Sequence, residues 1–474
     1  MEPTTSRISD DSRMSGLSAI PSVSGEQIHE LIESRGFGEL KSVLCGMDVH
    51  DLAELLGELD DEKELALAFR MLPTETAAEI MGELELEQQE ELLGKLSRQE
   101  VADILNEMPP DDRTGLLEEL PGQVAQKLMT QLRGDQLKVA RSLLAYPEDS
   151  IGRLMTPEYV AVRDDWSIDH VLRHIRRVAE SRETISVIYV VDTNWKLLDE
   201  IYLDQIVLAN PDKTVADLMD NQAASLNAAD DQEEALEAFK KYDAVALPVV
   251  DQAGTLVGIV TFDDVMDLQE EEDTEDMQKM AGMAALEDSY LSASFWQMIK
   301  KRLPWLVMLL VAETLAVVVL KGFDRLLVVL AMFMPLINAT AGNTGSQVSA
   351  LMIRSFAVNE ISLSDWLGVL MRELGRGLTM GAMLALPAAA IVLIFPPENP
   401  PAGVDITLVP LAVGIAMVAA VTLANLIGAM LPFAFKRIGL DPAVTSGPFI
   451  ACLMDVSSIL IFFSLAAGVL KIAG

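Results

Sequence analysis

Cysteine is nearly missing from this chain: 474 residues contain two, Cys45 and Cys452. So few exclude a disulfide framework and a thiolate metal centre. Basic residues are scarce too, 35 Lys and Arg against 72 Asp and Glu, for a formal charge of −37. Phosphate recognition draws on Lys and Arg, so nucleic acid is excluded as a partner. A surface of this sign instead repels itself and gathers cations, divalent ones above all. Of the four histidines, His170 and His174 stand four apart on a predicted helix, a spacing that can bind zinc. Arg173, Arg176 and Arg177 surround them and no third ligand follows, so the pair reads as surface. Residues 1–25 are polar and Ser-rich, lack the apolar stretch of a signal peptide, and read as a disordered tail.

The charge is unevenly placed. From Leu303 onward there are nine acidic and eight basic residues, which leaves 63 and 27 of the totals in front of that point. A strongly acidic soluble region therefore precedes a nearly neutral apolar one. Residues 26–145 show helical periodicity and an internal repeat: segments beginning at Ala77, Val101 and Val124 resemble one another at spacings of 24 and 23 residues. Such a period predicts stacked helix pairs, a short α-solenoid-like domain with acidic outer faces.

Residues 150–268 switch to a β-rich, duplicated pattern with halves at 150–210 and 211–268. Each half has an entry strand, a helix, a hairpin with Val-Val-Asp at its turn and a closing helix. This resembles a tandem pair of CBS domains, an α/β regulatory module that often takes adenosine nucleotides. The segment from Gly258 to Asp264 resembles the ribose-binding end of that motif, which implies Gly258, Thr261 and Asp264 as candidate nucleotide contacts and ATP as a candidate ligand. From Met266 to Leu303 the pattern predicts one connecting helix, with 269–300 as its own element. Asp264, Asp267, Glu271 and Glu275 fall on one of its faces and Glu272 and Asp276 on a neighbouring row. Like charges at this spacing destabilise a helix, so a bound cation would relieve them.

Residues 301–474 form an all-α membrane domain of five apolar runs, near 304–320, 326–353, 377–395, 407–434 and 447–470. Lys300, Lys301, Arg302, Arg354, Arg372, Arg376, Lys436 and Arg437 lie on one side, against Lys321, Arg325 and Lys471 on the other. This asymmetry places the acidic domains in the cytoplasm and the C-terminus outside. The 396–405 loop, without a basic residue, then faces outward. Asp455 lies inside the last run, and no basic residue shares its segment. A carboxylate at that depth costs roughly 2.5–3.5 kcal/mol and faces a wet path or a partner. A cation from outside the chain is the natural partner, so the chain reads as a cation conductor. Glu313 is a second carboxylate within an apolar run.

The 342–347 segment Gly-Asn-Thr-Gly-Ser-Gln, the Asp441-Pro-Ala start of the last run and its Asp455, together with the acidic helical domain and CBS pair, resemble the MgtE family of magnesium channels. The resemblance covers nearly everything after residue 26. It implies a homodimer of the cell membrane, importing Mg2+ and closed by cytoplasmic Mg2+. The pore would lie on the two-fold axis, with Asp455 facing a largely hydrated ion, Asn343 and Ala451 lining it, and Asp441 at the inner mouth. Asp112, Asp231, Glu233, Asp243, Asp264, Asp267, Glu272, Glu275 and Asp276 match the sensing carboxylates. Gly447 and Arg153 depart from the family pattern, the first at a pore position and the second at an interdomain contact. Magnesium prefers oxygen ligands and gives up water reluctantly, which suits sparse carboxylates. Two rival functions fit less well. An intramembrane aspartyl protease needs two facing aspartates, and a CBS-regulated anion or organic-solute transporter calls for basic residues at its substrate site.

Overall fold

The computed structural model describes residues 24–470 apart from 58, 60, 85, 287–292, 398–404 and 446. Residues 1–23 of the expected 1–25 tail, most of the 396–405 loop and the last residues, 471–474, lie outside the described residues, whereas Gly25 already begins a helix. Two compact units, Met1–Gln269 and Glu270–Gly474, make up the chain.

The first unit opens with ten short helices between Gly25 and Leu143. The repeat is visible in what they bury: Ala77, Ile80 and Met81, then Val101, Ile104 and Leu105, then Ala125 and Leu128. Each of the Val, Leu, Ile and Met side chains among them contributes about 1.5–3 kcal/mol when fully buried. Capping fixes where the helices begin. Ser97 accepts from Glu100 N while the Glu100 carboxylate takes Ser97 N at 2.6 Å, a reciprocal box that satisfies two free amides. Helix α1 (Pro110–Glu119) starts on a proline, whose missing N–H costs nothing there. Arg113 within it is fully buried, its Nη1 donating to the Leu105 and Met108 carbonyls.

The duplicated segment that resembles a CBS pair follows as two matching halves. In the first, β1 (Val160–Arg163), α2 (Ile168–Val178), β2 (Val187–Val191) and β3 (Leu197–Tyr202) form a sheet of order β1-β2-β3. In the second, β4 (Leu226–Asn227), α3 (Glu233–Tyr242), β5 (Ala246–Val250) and β6 (Leu256–Thr261) repeat it. Both hairpins carry a register shift at the same place, after Val190 and after Val249. Asp192 and Asp251 each close the turn by accepting two backbone amides. The next tight position is Gly254 in one half and Trp195 in the other, both at positive φ. The sheets share a core of Val187, Tyr189, Val191, Ala246, Leu256 and Ile259.

The expected single connecting helix is two. Helix α4 (Phe262–Met280) ends because Gly282 adopts φ +77, its amide returning to the Lys279 carbonyl and that of Met283 to Gln278. This is a left-handed C-terminal cap, which glycine forms without steric cost. The next helix, α5 (Phe295–Lys321), has its own start, Ser294 boxed with Gln297.

With α5, four further long helices form the second unit: α6 (Met334–Ala357), α7 (Trp366–Ile394), α8 (Val409–Arg437) and α9 (Gly447–Leu470). These elements lie in spans of 24–32 residues, five among the described residues, that are long and apolar enough to cross a membrane. Even the shortest reaches about 36 Å at 1.5 Å per residue. The helices meet on small residues, the way apolar helices gain packing in lipid. A Cβ on Gly381 would stand 2.8 Å from Val418 Cα, one on Gly377 2.9 Å from Thr422 Cα, and one on Gly428 would strike the Gly345 carbonyl. Beside Gly377, the buried Glu373 accepts from Arg376 and from Asn425 of α8. Replacing Gly428 by Ala should therefore destabilise the α6–α8 contact by about 1–3 kcal/mol. Thermal unfolding of the protein in micelles should show the loss, whereas Gly368→Ala, with open space around it, should not.

Candidate cation path and regulatory carboxylates

Asp455 sits nine residues into α9, half-buried, with its carbonyl accepting from Ser458 Oγ. Glu313 of α5 is close enough to act on it electrostatically and to hydrogen-bond the Cys452 thiol, while Cys452 Sγ also donates to the Leu309 carbonyl at 3.7 Å. One face of α5 thus puts a second carboxylate beside Asp455. Ala451 lies 3.7 Å from where a Gly342 side chain would begin. The bare glycine lets α9 approach the turn of α6 that carries Asn343. Asn343 and Gln347 are exposed on the single chain, four residues apart on one face of α6.

Asp441 lies outside α9. The chain turns at Gly439, φ +76, makes a short 3-10 turn at Pro442–Val444, and begins α9 only at Gly447. Asp441 Oδ1 caps that turn by accepting from Ala443 N at 2.8 Å. Its Oδ2 receives the Lys279 ammonium at 2.9 Å, and Glu275 receives it at 2.8 Å. Asp276 is half-buried beside them, its carboxyl pushed up by burial and then by the charge of Asp441. Gly447, the departure from the family pattern, offers only a carbonyl, which accepts from Ser346 Oγ at 3.1 Å.

A second acidic cluster lies within the first unit. Asp112, on α1, extends over Gly82, where a Cβ would come within 2.6 Å of its Oδ2. Asp264 and Asp267, in the first turns of α4, act on it, and Asp111, Glu183 and Asp263 belong to the same field. Burial raises the carboxyls of Asp111, Asp112 and Glu183 first and the neighbouring carboxylates raise them further, Asp112 and Glu183 to about 7. Asp264 is raised by burial to about 6 even though Thr261 donates both its N–H and Oγ1–H to Oδ2. Asp111, Glu183 and Asp263 were not singled out from sequence. The doublets Asp111-Asp112 and Asp263-Asp264 were the available signal, and Glu183, in a loop, gave none.

The other expected sensing residues are dispersed. Asp231 accepts from Glu233 N at the start of α3, whereas Asp243 caps its far end at φ +50. Ten residues of helix separate those ends by about 15 Å. Glu272 lies mid-way along α4. Gly258 packs under Met155, whose Sδ would be 2.7 Å from a Cβ there. Among the described residues no group of three or more His, Cys, Asp or Glu converges closely enough to hold a metal ion alone. What the chain offers is hard oxygen donors in small sets, which fits an ion that keeps several of its waters. Arg153, the other departure, bridges to Glu118 of α1 at 2.9 Å and donates to the Tyr146 carbonyl, placing a fixed cation at the contact between helical domain and CBS pair.

Five spans, carboxylates within and at the mouth of the last one, and an acidic CBS-bearing region define a membrane transporter of divalent cations. The profile of the MgtE divalent cation transporter matches residues 334–465, that of the MgtE intracellular N domain matches 47–149, and the CBS domain matches 151–211 and 215–271. A magnesium transporter MgtE of Thermus thermophilus is 38% identical over 93% of this chain and 97% of its own. One from Bacillus subtilis is 29% identical over 90% and 93%. Among solved structures, the cytosolic domain of the Mg2+ channel MgtE in complex with ATP has a TM-score of 0.50 at 35% identity, covering 52% of this chain and 99% of its own. The chain belongs to the MgtE family; it is a magnesium transporter with cytosolic N-terminal domains, and not an enzyme.

The raised carboxyls of the first cluster set a pH dependence. Their folded pKa values exceed the unfolded ones, so the stability they contribute is present in acid and is lost as pH rises through 6 to 7. In chelator, Asp112→Asn should gain on the wild type as pH rises, by about 1–3 kcal/mol between pH 5 and pH 8. Added Mg2+ should stabilise the variant less. Thermal melts at the two pH values check both.

Proposed function

We propose that this transporter is a homodimeric channel that carries Mg2+ into the cytoplasm and is closed by the ion it admits. The pore lies on the two-fold axis, with Asp455 of each chain attracting a hydrated ion, Asn343 and Ala451 lining the path and Asp441 at its inner mouth. The observation that carries the gating is the meeting of Asp441, at the head of α9, with Glu275 and Asp276 at the end of α4. The exposed amides of Asn343 and Gln347 support the dimer, because amides within a span gain from a facing helix or a wet path. An inside-negative potential of 100 mV drives a divalent ion inward with about 4.6 kcal/mol.

At low cytoplasmic Mg2+ the carboxylates of the N domain, CBS pair and α4 repel one another, and the end of α4 loosens from the mouth. At high Mg2+ ions bridge them. The closed state binds more ions and is populated accordingly. Carrying the gate from 1:99 to 99:1 takes about 5.5 kcal/mol of differential binding, within reach of several weak sites together. The C-terminus emerges outside the cell.

Uptake by proteoliposomes tests the path: Asp455→Asn should reduce Mg2+ flux below about a tenth of wild type. The triple variant Asp267→Asn, Glu272→Gln, Glu275→Gln should keep conducting at internal Mg2+ that stops the wild type, and unchanged closure would refute the gate. The CBS pair takes ATP, with Thr261 and Asp264 on the ribose hydroxyls and Gly258 admitting the close approach of Met155 and Thr156. The ATP complex of a relative's cytosolic domain supports this. Thr261→Val should weaken ATP binding about tenfold in calorimetry, the loss of one good hydrogen bond, about 1–1.5 kcal/mol.

A further inference from the structure

The inner mouth already contains a cation, and it belongs to the chain. Lys279 Nζ lies 2.8 Å from Glu275 and 2.9 Å from Asp441, in the last turn of α4. Burial works against its charge, but the hydrogen bonds to Glu275 and Asp441 outweigh that and hold its pKa above that of an ordinary lysine. The carboxylates around it do not move freely. Asp441 is fixed by its second bond to Ala443 N. The end of α4 is fixed by the Gly282 turn, which packs so closely on Trp305 that a Cβ would come 2.6 Å from its Nε1. Three carboxylates, Glu275, Asp276 and Asp441, meet one ammonium, so the set keeps a net charge of −2 and still attracts a divalent ion.

We propose that Lys279 is a tethered competitor for the divalent cation at this mouth: its ammonium occupies the position between Glu275 and Asp441 that a metal ion would take, and the ion binds by displacing it. The inference rests on the reading that closure involves Mg2+ at these carboxylates. An ammonium is a compact charge on a flexible stem. It holds the helix end near the mouth without the rigid octahedral grip of Mg2+. Displacement gives up two charge-assisted hydrogen bonds, which lowers the apparent metal affinity. Lys279 thereby sets how much Mg2+ is needed before α4 is clamped.

The test is a Mg2+ titration of the full-length protein in micelles, read by the emission of Trp305 after the other four tryptophans, Trp166, Trp195, Trp296 and Trp366, are replaced by Phe. Lys279→Met should lower the midpoint about tenfold, equivalent to about 1.4 kcal/mol, and Lys279→Gln should do the same. Lys279→Arg should leave it near wild type. A midpoint in Lys279→Met and Lys279→Gln that is unchanged or higher, with full signal amplitude and a wild-type elution profile, would overturn the proposal. A lowered midpoint alongside uptake that ignores internal Mg2+ would support competition by Lys279 and reject the gating reading instead.

Discussion

Like charges brought together out of bulk water need counter-charges, and this chain is short of them. The constraint recurs at three depths. Asp112 and Asp264 meet within the first unit, Glu275, Asp276 and Asp441 meet at the head of α9, and Glu313 approaches Asp455 between two spans. At each place the oxygens are held by elements with other reasons to be there: a proline-started helix, a glycine-capped helix end, a span packed on bare glycines. Repulsion is therefore not relaxed by local rearrangement. It is relieved by protons, by divalent cations, or by separation of the elements. A magnesium transporter has use for all three responses, since the ion it moves is the one its surfaces lack.

The chain's own cations modulate this shortage rather than abolish it. Arg153 ties the CBS pair to Glu118, and Lys279 ties α4 to Asp441. Their chemistry differs in a way that matters. The Arg153 guanidinium is mostly buried and planar, and a backbone carbonyl fixes it as well, so it acts as a permanent strut. Lys279 is a mobile point charge in a half-open setting and can yield. At Arg153, the departure from the family pattern, the contact carries its own cation.

Periodicity and duplication made the architecture legible. The 24- and 23-residue repeat became the buried faces of stacked helices, and the paired Val-Val-Asp turns became two hairpins with the same bulge. Asp455 was legible because a lone carboxylate in an apolar run has few benign explanations. The expected single helix after the CBS pair failed at Gly282, whose positive φ caps α4. An acidic face at helical spacing drew attention past the one residue that stops the helix. Lys279 was lost to the same bias, since a lysine among nine nearby acids reads as solvated until its ammonium is seen against Asp441. Glu373, Arg376 and Asn425 are separated by up to 52 residues and share no pattern, so only packing of α7 on α8 could bring them together.

Asp264 shows how tightly these demands are coupled. Its Oδ2 is taken by Thr261, which ends β6 just before α4 and is itself a candidate ribose contact, so Oδ1 is what remains for a metal ion or for Asp112. A nucleotide that engages Thr261 and Asp264 would draw the carboxylate toward its ionised form, whereas burial among Asp112, Glu183 and Asp263 pushes it the other way. On the proposed reading, nucleotide, proton and magnesium would all act on one side chain in the first turn of the helix whose far end carries Glu275 and Lys279. Linkage requires each ligand to alter the affinity of the others by equal and reciprocal factors.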